Sequence, residues 1–460
     1  MDYVMMLMSN RTDHTNEGLI LLTGNGAFFR VYRRHFYREE VHVGAKLVLN
    51  ARQKRMWPII ILGAFFEGFD DAVINIALPY IAEDYGMTTE LSGYALSIIA
   101  VGTMVAFFVS RTADLIGRRN VFLASVYLFS LCSLLTAFAP NIETFVFLQF
   151  AARIFLIGCW SVGYVILCEE FSAEHRGTAV GRFQLTAVFG ALLIGILLPV
   201  IAKLGLSWRV LYVFGAIPMI PVFLLRKRLP ETEAFLKLQE EKKRGRELPK
   251  GDFFGPWKSP YILYTVIMSV VWIFLYFGIK GSLNFFTLRV VNELNWTPNM
   301  VSIGLLTQTL AGILIIALNG RLMDRIGRKR AAAIIIAVGC ICSVSMFTLH
   351  HFYAVLICSI IAAGFVNSFL IVGSTLTNEL FPTEIRASAM AWTNNIMGRL
   401  GQILVPAAVS LFALPLGLGN AAALAVSLPV ISLMLILVFI PETGKRTARQ
   451  PENKGITKTA

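Results

Sequence analysis

The chain has 460 residues, of which 56% are hydrophobic and only 15% are charged. A soluble domain usually has about 25% charged residues, so this composition excludes an ordinary soluble protein and indicates a surface that faces lipid. The six cysteines lie in or beside apolar stretches without a Cys-x-x-Cys pair or a His/Cys cluster, so we expect neither a metal site nor a disulfide framework.

Residues 1–56 are mostly polar and basic, with one short apolar patch at Leu19–Leu22. This patch is too short to span a bilayer. The segment also lacks the continuous apolar core of a signal peptide. We predict a cytoplasmic N-terminal extension, and the sequence leaves open whether the working protein includes it or begins at Met56.

A series of long apolar stretches follows, each comparable to the roughly 20 residues that a membrane-spanning helix needs. They lie at 57–82, 91–110, 120–140, 143–167, 178–202, 208–226, 261–288, 299–320, 331–350, 352–376, 388–413 and 420–440. These runs are too long and too uniformly apolar for the alternating strands of a membrane barrel. We therefore predict an all-α membrane protein with twelve transmembrane helices.

The predicted helices fall into two groups of six. The first bundle occupies 57–226 and the second occupies 261–443, and a charged linker at 227–260 joins them. We interpret the linker as a solvated, partly helical cytoplasmic connector, and a regulatory docking site is the alternative. The polar residues 444–460 are predicted to form a cytoplasmic tail.

Short motifs occur twice along the chain, each time in the same order. The pairs are Asp114–Arg119 with Asp324–Lys329 and Arg176 with Arg386, both offset by 210 residues, and Pro230–Thr232 with Pro441–Thr443, offset by 211. Separate motifs that keep nearly one spacing indicate two copies of one unit in the same direction. The sequence therefore predicts two pseudo-symmetric six-helix bundles, which is an architecture typical of transporters.

The placement of basic residues predicts the orientation in the membrane. If the N-terminus is cytoplasmic, nearly all of the 41 Lys and Arg residues lie in cytoplasmic segments or adjoining span ends, and the outer loops hold only Lys203, Arg209 and Arg289. This is the positive-inside bias, so the net charge of +13 reflects topology and not nucleic-acid binding. We predict a protein of the plasma (inner) membrane, in contact with lipid, with both termini in the cytoplasm.

The repeated loop motifs resemble those of the major facilitator superfamily, and the resemblance covers about residues 57–443. In that family the loop motif forms a charge network that holds the cytoplasmic side closed in the outward-facing state. The resemblance implies gating roles for Asp114, Gly117, Arg118, Arg119, Glu170, Arg176, Asp324, Gly327, Arg328, Glu379 and Arg386. The alternative is that these charges only anchor loops and set the topology.

Further segments are similar to particular branches of that superfamily. Phe381–Ala387 and the two Pro-Glu-Thr endings look like the sugar- and metabolite-porter branch. Gly68–Asp70 in the first span is similar to aromatic-acid/proton symporters, and Gly398–Gln402 in the eleventh is similar to organic-ion and carboxylate carriers. The seventh span lacks the paired glutamines of a sugar porter and the fifth lacks the Gly-Pro-x-x-Gly-Gly of drug/proton antiporters, so the resemblance favours a metabolite carrier.

The first predicted span carries three carboxylates, Glu67, Asp70 and Asp71, which helical spacing brings close together. Arg153 lies at a similar depth in the fourth span, and these two helices line the cavity in the resembled family. Ionisable groups inside a membrane are usually paired and functional. We predict an ion pair of Arg153 with Asp70 or Asp71 and a proton-coupling role for all four residues. A static pair that only orients the helices is the alternative.

Lys280 in the seventh span lies one repeat offset after Asp70, so a cation stands where the first half has an anion. Together with Arg399 it would attract an anionic substrate to the second half of the cavity. Amides that would add hydrogen bonds are Asn284, Asn367, Asn394, Asn395 and Gln402. A snorkelling or acid-paired lysine, and amides that only bond between helices, are the alternatives.

These features predict a secondary active transporter that works by alternating access. Our leading hypothesis is proton-coupled symport of a small organic anion, such as an aromatic or other carboxylate, by a monomer without a cofactor. A sugar or polyol symporter, a drug efflux antiporter and a non-transporting solute sensor are the alternatives. An enzyme is not predicted, because the sequence contains no recognisable nucleophile–base pair, metal-ligand cluster or phosphate loop.

Overall fold

The computed structural model describes residues 19–22, 28–31, 49–217, 219–225, 229–244 and 253–442. The chain divides into two compact units, Met1–Lys46 and Leu47–Ala460. In the first unit, the strands β1 (Leu19–Leu22) and β2 (Phe28–Val31) form an antiparallel pair, so the apolar patch of the N-terminal extension is a strand. The rest of the predicted extension up to residue 48 and the predicted tail at 444–460 lie outside the described residues.

The second unit begins with the N-terminal bundle. Its helices are α1 (Ala51–Asp84), α2 (Thr89–Ile116), α3 (Arg118–Thr136), α4 (Ile142–Glu170), α5 (Ala173–Lys203), α6 (Arg209–Gly215) and α7 (Met219–Leu225). The first five predicted spans each correspond to one helix. The sixth corresponds to α6 followed by α7.

The linker contains α8 (Glu233–Lys243) and a short 3₁₀ turn (Gly255–Trp257). The C-terminal bundle consists of α9 (Ile262–Asn292), α10 (Pro298–Ile326), α11 (Arg328–Thr348), α12 (Phe352–Asn367), α13 (Phe369–Leu380), α14 (Thr383–Met390), a π-helical segment (Ala391–Gly398), α15 (Arg399–Leu416), α16 (Leu418–Ser427) and α17 (Pro429–Phe439). The tenth and twelfth spans are each divided in two, and the eleventh contains the π-helical segment.

The surface of the bundles is suited to a bilayer. Among the described residues, 10 helices are long and apolar enough to cross a membrane by length and composition. Helix α1, which carries the carboxylates, and the shorter α6 and α7 complete the set of twelve spans. Large apolar side chains such as Phe108 and Leu314 are each 67% exposed, and lipid would cover them. The prediction of an all-α, multi-pass membrane protein is confirmed.

The second helices of the two bundles, α2 and α10, begin and end with the same features. Gly117 follows α2 with φ 102° and Gly327 follows α10 with φ 95°, a backbone region that favours glycine. At the opposite ends, the hydroxyls of Thr88 and Thr297 accept backbone N–H groups at 3.2 and 3.4 Å and cap the helices. We call the end of the molecule with the two glycines the motif end, and the end with the two threonines the far end.

Glycines also let the first helix of each bundle approach another helix closely. A Cβ atom on Gly190 of α5 would lie 1.8 Å from the carbonyl oxygen of Phe65 on α1. A Cβ atom on Gly401 of α15 would lie 2.2 Å from the carbonyl oxygen of Ile273 on α9. These backbone contacts lie at equivalent places in the two bundles and hold α1 and α9 in the centre of the molecule.

The two bundles touch each other at the far end. Ser410 on α15 donates a hydrogen bond of 3.2 Å to the carbonyl oxygen of Thr89 on α2. Close by, a Cβ atom on Gly93 would lie only 2.5 Å from the carbonyl oxygen of Pro406. Gly195 on α5 likewise faces Leu306 on α10. The far end is therefore closed by direct packing of the two halves.

Candidate functional site

The two neighbouring aspartates of α1 point in different directions. Asp70 is only 3% exposed and accepts a hydrogen bond of 2.7 Å from the hydroxyl of Ser133 on α3. Successive residues of an α-helix are rotated by about 100°, so Asp71 cannot share this environment. Asp70 therefore faces the interior of the N-terminal bundle, and Asp71 faces away from it.

Asp71 joins the two halves of the protein. Its Oδ1 atom accepts a hydrogen bond from Arg153 Nη1 on α4 in the first half. Its Oδ2 atom lies 3.8 Å from Lys280 Nζ on α9 in the second half. Of the two pairings that the sequence left open for Arg153, the structure therefore contains the one with Asp71.

Glu67 lies one helical turn before these aspartates. It is buried, with 9% of its surface exposed. Within the part of the chain that the structure describes, no hydrogen bond or ion pair to its carboxyl group is found. Glu67 is thus a buried acid close to the Asp71–Arg153 pair but not part of it.

A small cavity lies between the halves beside these charges. Its volume is about 30 Å³, enough for one or two water molecules. The polar residues that line it are Asn75, Thr103, Arg153, Lys280, Asn284 and Gln402. Both bundles contribute, so the predicted residues Lys280, Asn284 and Gln402 are brought together with Arg153. Asn75 and Thr103 were not predicted.

The remaining predicted substrate residues lie outside the lining of this cavity. Asn367 donates a hydrogen bond of 2.7 Å to the carbonyl oxygen of Ala363 in its own helix. Asn395 is half-buried in the π-helical segment. Arg399 is half-buried at the start of α15, and its charge acts on Asp71. Arg399 is therefore an electrostatic neighbour of the site.

Sequence reasoning missed Tyr276, which lies one helical turn before Lys280 on α9. Its hydroxyl donates a hydrogen bond of 2.8 Å to the side chain of Asn394. Asn394 belongs to the π-helical segment, and such segments often occur at functional sites. The spacing of four residues between Tyr276, Lys280 and Asn284 was the signal, because it places all three on one face of the helix.

The loop motifs hold their own half together at the motif end. In the first half, the carboxylate of Glu231 accepts the backbone N–H groups of Arg118 and Arg119 at 3.0 and 3.1 Å. The guanidinium of Arg118 contacts Asp114 at 3.0 Å and Glu169 at 3.1 Å. The helix α3 therefore begins with a carboxylate at its N-terminus, where the helix dipole favours negative charge.

The second half repeats this arrangement. Glu442 accepts the backbone N–H groups of Arg328 and Lys329 at 2.7 and 3.2 Å. The guanidinium of Arg328 contacts Asp324 at 2.7 Å and Glu379 at 2.9 Å. The glutamates of the two Pro-Glu-Thr motifs thus share one structural role, which the sequence did not reveal.

Glu170 was predicted to be the partner of the loop motif in the first half, but the structure places Glu169 there. The carboxylate of Glu170 lies 3.0 Å from Arg52 on α1, whereas the neighbouring Glu169 contacts Arg118. Adjacent helical residues point about 100° apart, so only one of the two glutamates can face the loop motif. The repeat offset contained this information, because subtracting 210 from Glu379 gives Glu169.

Arg176 and Arg386 occupy equivalent places but do not contact the loop-motif aspartates in the hydrogen bonds that the structure describes. Arg176 donates to the carbonyl oxygen of Phe171 at 3.4 Å, and Arg386 donates to that of Phe381 at 3.3 Å. Both bonds close the turn between the fourth and fifth helices of a bundle. These two arginines therefore support the backbone beside the loop motifs.

At the motif end, aromatic residues of the linker lie between the halves. The ring of Phe253 stacks on Phe107 of α2 with centroids 6.0 Å apart, and Arg111 lies 5.2 Å from its centroid. On the other side, the indole N–H of Trp392 donates to the carbonyl oxygen of Phe253 at 2.8 Å. We call these four residues the linker bridge, because they connect α2 with the π-helical segment.

Comparisons with known proteins agree with this architecture. A family model described as Major Facilitator Superfamily matches residues 60–291 and 273–460, and so covers both bundles. The niacin transporter NiaP of Acinetobacter baylyi is 25% identical over 388 residues, which are 77% of this chain and 86% of that protein. The 3-(3-hydroxy-phenyl)propionate transporter of Escherichia coli is 28% identical over 404 residues, which are 85% of this chain and 94% of that protein.

A solved structure gives the same result for the fold. The inward open conformation of the xylose transporter XylE from E. coli is similar with a TM-score of 0.68 at 19% sequence identity. The similarity covers 85% of this chain and 96% of that chain. At this level of identity it concerns the fold alone.

Proposed function

This chain belongs to the major facilitator superfamily, and we propose that it is a symporter that moves a small organic anion together with protons by alternating access. Its relatives are transporters and not enzymes, and those named above carry metabolites. A multi-pass membrane transporter for a small molecule is therefore the general function. The anionic substrate, the proton coupling and the direction of transport are the specific parts of the proposal.

The observation that carries the proposal is the charge beside the central cavity. Arg153 and Lys280 both line it, and Arg399 adds a third positive charge nearby. Among the described residues, Asp71 is the one carboxylate in direct contact with Arg153 and Lys280. Cations in a largely buried site attract an anion strongly because water does not screen them. A monocarboxylate can pair with Arg153 and Lys280, whereas a neutral sugar or a cationic drug cannot.

The relatives support the same substrate class. Niacin and 3-(3-hydroxy-phenyl)propionate, which two of them are named for, each carry one carboxylate and one aromatic ring. In this chain the cations would hold the carboxylate, and Asn284 and Gln402 in the cavity wall would donate hydrogen bonds to it. The aromatic ring of Tyr276, one turn from Lys280, would lie beside the ring of the substrate.

We assign proton coupling to the α1 carboxylates Glu67, Asp70 and Asp71 together with Arg153. All four lie near the middle of the molecule, and Glu67 and Asp70 are buried. Acids inside a transporter commonly form the proton relay, because their charge must be neutralised before an empty or loaded carrier reorients. A proton on one of these carboxylates would compensate the charge of the substrate during that step.

We also propose that the loop motifs and the linker bridge form the gate at the motif end, opposite the closed far end. The distribution of Lys and Arg supports a cytoplasmic location for the motif end and for both termini, in the plasma (inner) membrane. Each chain contains both walls of the cavity, so a monomer is sufficient for transport.

Uptake by purified protein in proteoliposomes tests this function. We expect labelled nicotinate and 3-(3-hydroxyphenyl)propionate to accumulate when the lumen is alkaline, and a protonophore to abolish the accumulation. Xylose and a cationic dye serve as the sugar and drug controls. The double variant Asp70→Asn/Asp71→Asn should lose accumulation but keep exchange of the anion. Accumulation of the anions that is independent of the pH gradient, or uptake of xylose or the dye alone, contradicts the proposal.

A further inference from the structure

We propose that Asp71 is an internal substitute for the substrate, occupying the place between Arg153 and Lys280 that the carboxylate of the substrate takes over. The inference rests on the proposed function and deepens it, because it names the anchoring residues and the competing group. It also makes Arg153 a substrate-binding residue as well as a part of the proton-coupling set.

The geometry of the three side chains supports this exchange. One oxygen of Asp71 accepts from Arg153, and the other lies 3.8 Å from Lys280. A single carboxylate therefore contacts one cation from each half of the protein. A monocarboxylate substrate has the same two oxygens and the same charge, and it would need the same two partners to hold the halves together.

The exposure of the three side chains indicates which of them can move. The side chain of Asp71 is 33% exposed, whereas those of Arg153 and Lys280 are 10% and 20% exposed. Arg153 and Lys280 belong to the wall of the cavity, and Asp71, which is outside that lining, is the most exposed of the three side chains. Because the cavity of about 30 Å³ is too small for an aromatic acid, the substrate can enter only if groups at its edge withdraw.

This exchange explains how the site selects an anion. Two cations in a poorly hydrated site are strongly destabilised without a counter-ion, and Asp71 supplies one when substrate is absent. Replacing one carboxylate by another conserves the ion pairs. A sugar hydroxyl or an organic cation would leave both cations unpaired after displacing Asp71. Asp71 therefore rejects ligands that lack a carboxylate by competing with them.

The exchange also couples the anion to a proton. The charged groups around Asp71 are Glu67 and Asp70 on its own helix, Arg153 on α4, Lys280 on α9 and Arg399 at the start of α15. Once the substrate carboxylate has taken its cations, Asp71 is left among acids and binds a proton from the open side. The substrate stays ionised and Asp71 becomes a neutral acid, so one anion enters with one proton. Anion affinity should then rise as the pH falls.

The variant Asp71→Asn separates this inference from simpler roles, because it removes the competing charge and keeps the shape. We would measure binding of nicotinate and 3-(3-hydroxyphenyl)propionate to the purified full chain by calorimetry at about pH 6 and about pH 8. We expect the wild type to bind more tightly at the lower pH. Asp71→Asn should bind about tenfold more tightly or better, with an affinity that no longer depends on pH. Accumulation in proteoliposomes should be lost.

Control variants test whether the change in affinity is specific to Asp71. Glu83→Gln removes a carboxylate from the exposed end of the same helix and should leave affinity unchanged. The double variant Asp71→Asn/Lys280→Gln should lose the gain in affinity, because one of the two cations is gone. If Asp71→Asn is unstable without ligand, its melting temperature should rise more on adding the anions than that of the wild type.

The outcomes distinguish the two proposals. If the wild type binds the anions and Asp71→Asn binds them no more tightly, Asp71 is not a competitor and this inference is wrong, while the proposed function stands. If Asp71→Asn binds an anion that the wild type holds too weakly to measure, the inference is supported. If neither protein binds either anion at either pH, both the anion function and this inference are rejected.

Discussion

The carboxylate of Glu231 accepts the backbone N–H of Arg118 at 3.0 Å, so a residue of the linker after the last span of the N-terminal bundle caps the start of its third span. Glu442 and Arg328 repeat this contact at 2.7 Å in the other bundle. Within each bundle, this contact joins segments that are more than 100 residues apart in the sequence and holds them together at the motif end. The glutamate of each Pro-Glu-Thr motif therefore has a structural role, because it caps the third helix of its bundle.

Removal of the Glu231 carboxylate should destabilise the N-terminal bundle. In Glu231→Ala, the N–H groups of Arg118 and Arg119 lose their acceptor, and loss of such a cap costs about 1 kcal/mol. We expect a lower melting temperature in detergent and slower transport, with a smaller loss in Glu231→Gln, which retains an acceptor oxygen. Glu240→Ala on the exposed face of α8 is the control. An equal loss in the control would refute the capping role.

The two loop-motif glycines should differ in their tolerance of a side chain. Gly117 has φ 102° and ψ 148°, and Gly327 has φ 95° and ψ 161°, a region almost confined to glycine that costs another residue about 1–3 kcal/mol. At Gly117 a Cβ atom would also lie 2.2 Å from the carboxylate of Glu231, whereas at Gly327 the nearest atom of Glu442 is 3.1 Å away. Gly117→Ala should therefore lower the melting temperature more than Gly327→Ala, and Gly117→Val should impair transport while the protein still inserts into the membrane.

Gly181 on α5 provides the control for these two variants, because a Cβ atom there would meet nothing within 4 Å. Gly181→Ala should leave stability unchanged or improve it by up to about 1 kcal/mol through helix propensity. Equal effects of Gly117→Ala and Gly327→Ala would show that backbone conformation alone matters. Full stability of both variants would contradict the turn geometry.

The repeat explains how much of this architecture could be predicted from the sequence. The apolar stretches and the offset of 210 residues were sufficient to predict twelve spans in two related bundles, and to place Lys280 opposite the α1 carboxylates. The same offset relates Glu379 to Glu169, yet the family resemblance indicated Glu170 as the partner of the loop motif. The choice between adjacent glutamates depends on the rotation of α4 about its axis, and two neighbouring carboxylates give no information on that rotation.

The rest of the site depends on packing that periodicity does not encode. Asp70 and Asp71 are chemically alike, and which of them turns inward depends on the rotation of α1 about its axis; in the structure Asp70 is the one that meets Ser133 on α3. The π-helical segment interrupts a stretch that reads as an ordinary helix, so the contact between Asn394 and Tyr276 could not be predicted. The spacing of Tyr276 from Lys280 was visible, but a tyrosine on a membrane helix more often packs against its neighbours than lines a site.

The closed far end should depend on the absence of a side chain at position 93. A Cβ atom on Gly93 would lie 2.5 Å from the carbonyl oxygen of Pro406, a backbone atom that cannot rotate away. Gly93→Ala should therefore hold α2 and α15 apart and favour a conformation that is open at the far end. Spin labels at the exposed positions Phe138 and Leu414, one in each half, would report a longer distance.

Transport by Gly93→Ala should fall, because a carrier that cannot close one end cannot complete the cycle. The control is Gly320→Ala on α10, where a Cβ atom would meet nothing within 4 Å. An unchanged label distance together with normal transport would mean that the contact between Gly93 and Pro406 is not part of a gate.

The linker bridge should set how readily the motif end opens. Phe253→Ala removes the ring that stacks on Phe107 and lies beneath Arg111, and an aromatic contact of this kind is worth about 0.5–1.5 kcal/mol beyond its buried area. We expect the motif end to be open for a larger fraction of the time. Labels at Leu115 and Arg325, both exposed at that end, would show a greater population of long distances.

A conservative variant separates the ring contact from the hydrogen bond of the linker bridge. Trp392→Phe keeps an aromatic ring but loses the N–H that donates to Phe253, so its effect should be smaller than that of Phe253→Ala. Phe138→Ala, an exposed aromatic of the N-terminal bundle, is the control. If Phe253→Ala leaves the distance distribution unchanged, the linker aromatics do not restrain the motif end.

Lys280 should be required for tight binding of the anion. It is the cation that the second half contributes to the central cavity, and its partner there is Asp71. Lys280→Gln removes the charge at nearly constant volume and should weaken binding of nicotinate by about tenfold or more, since one charge-assisted contact is worth roughly 1.5–3 kcal/mol. Lys280→Arg keeps the charge and should retain most of the affinity. Lys203→Gln, at the far end of α5, is the control, and equal affinities for Lys280→Gln and the wild type would remove Lys280 from the binding site.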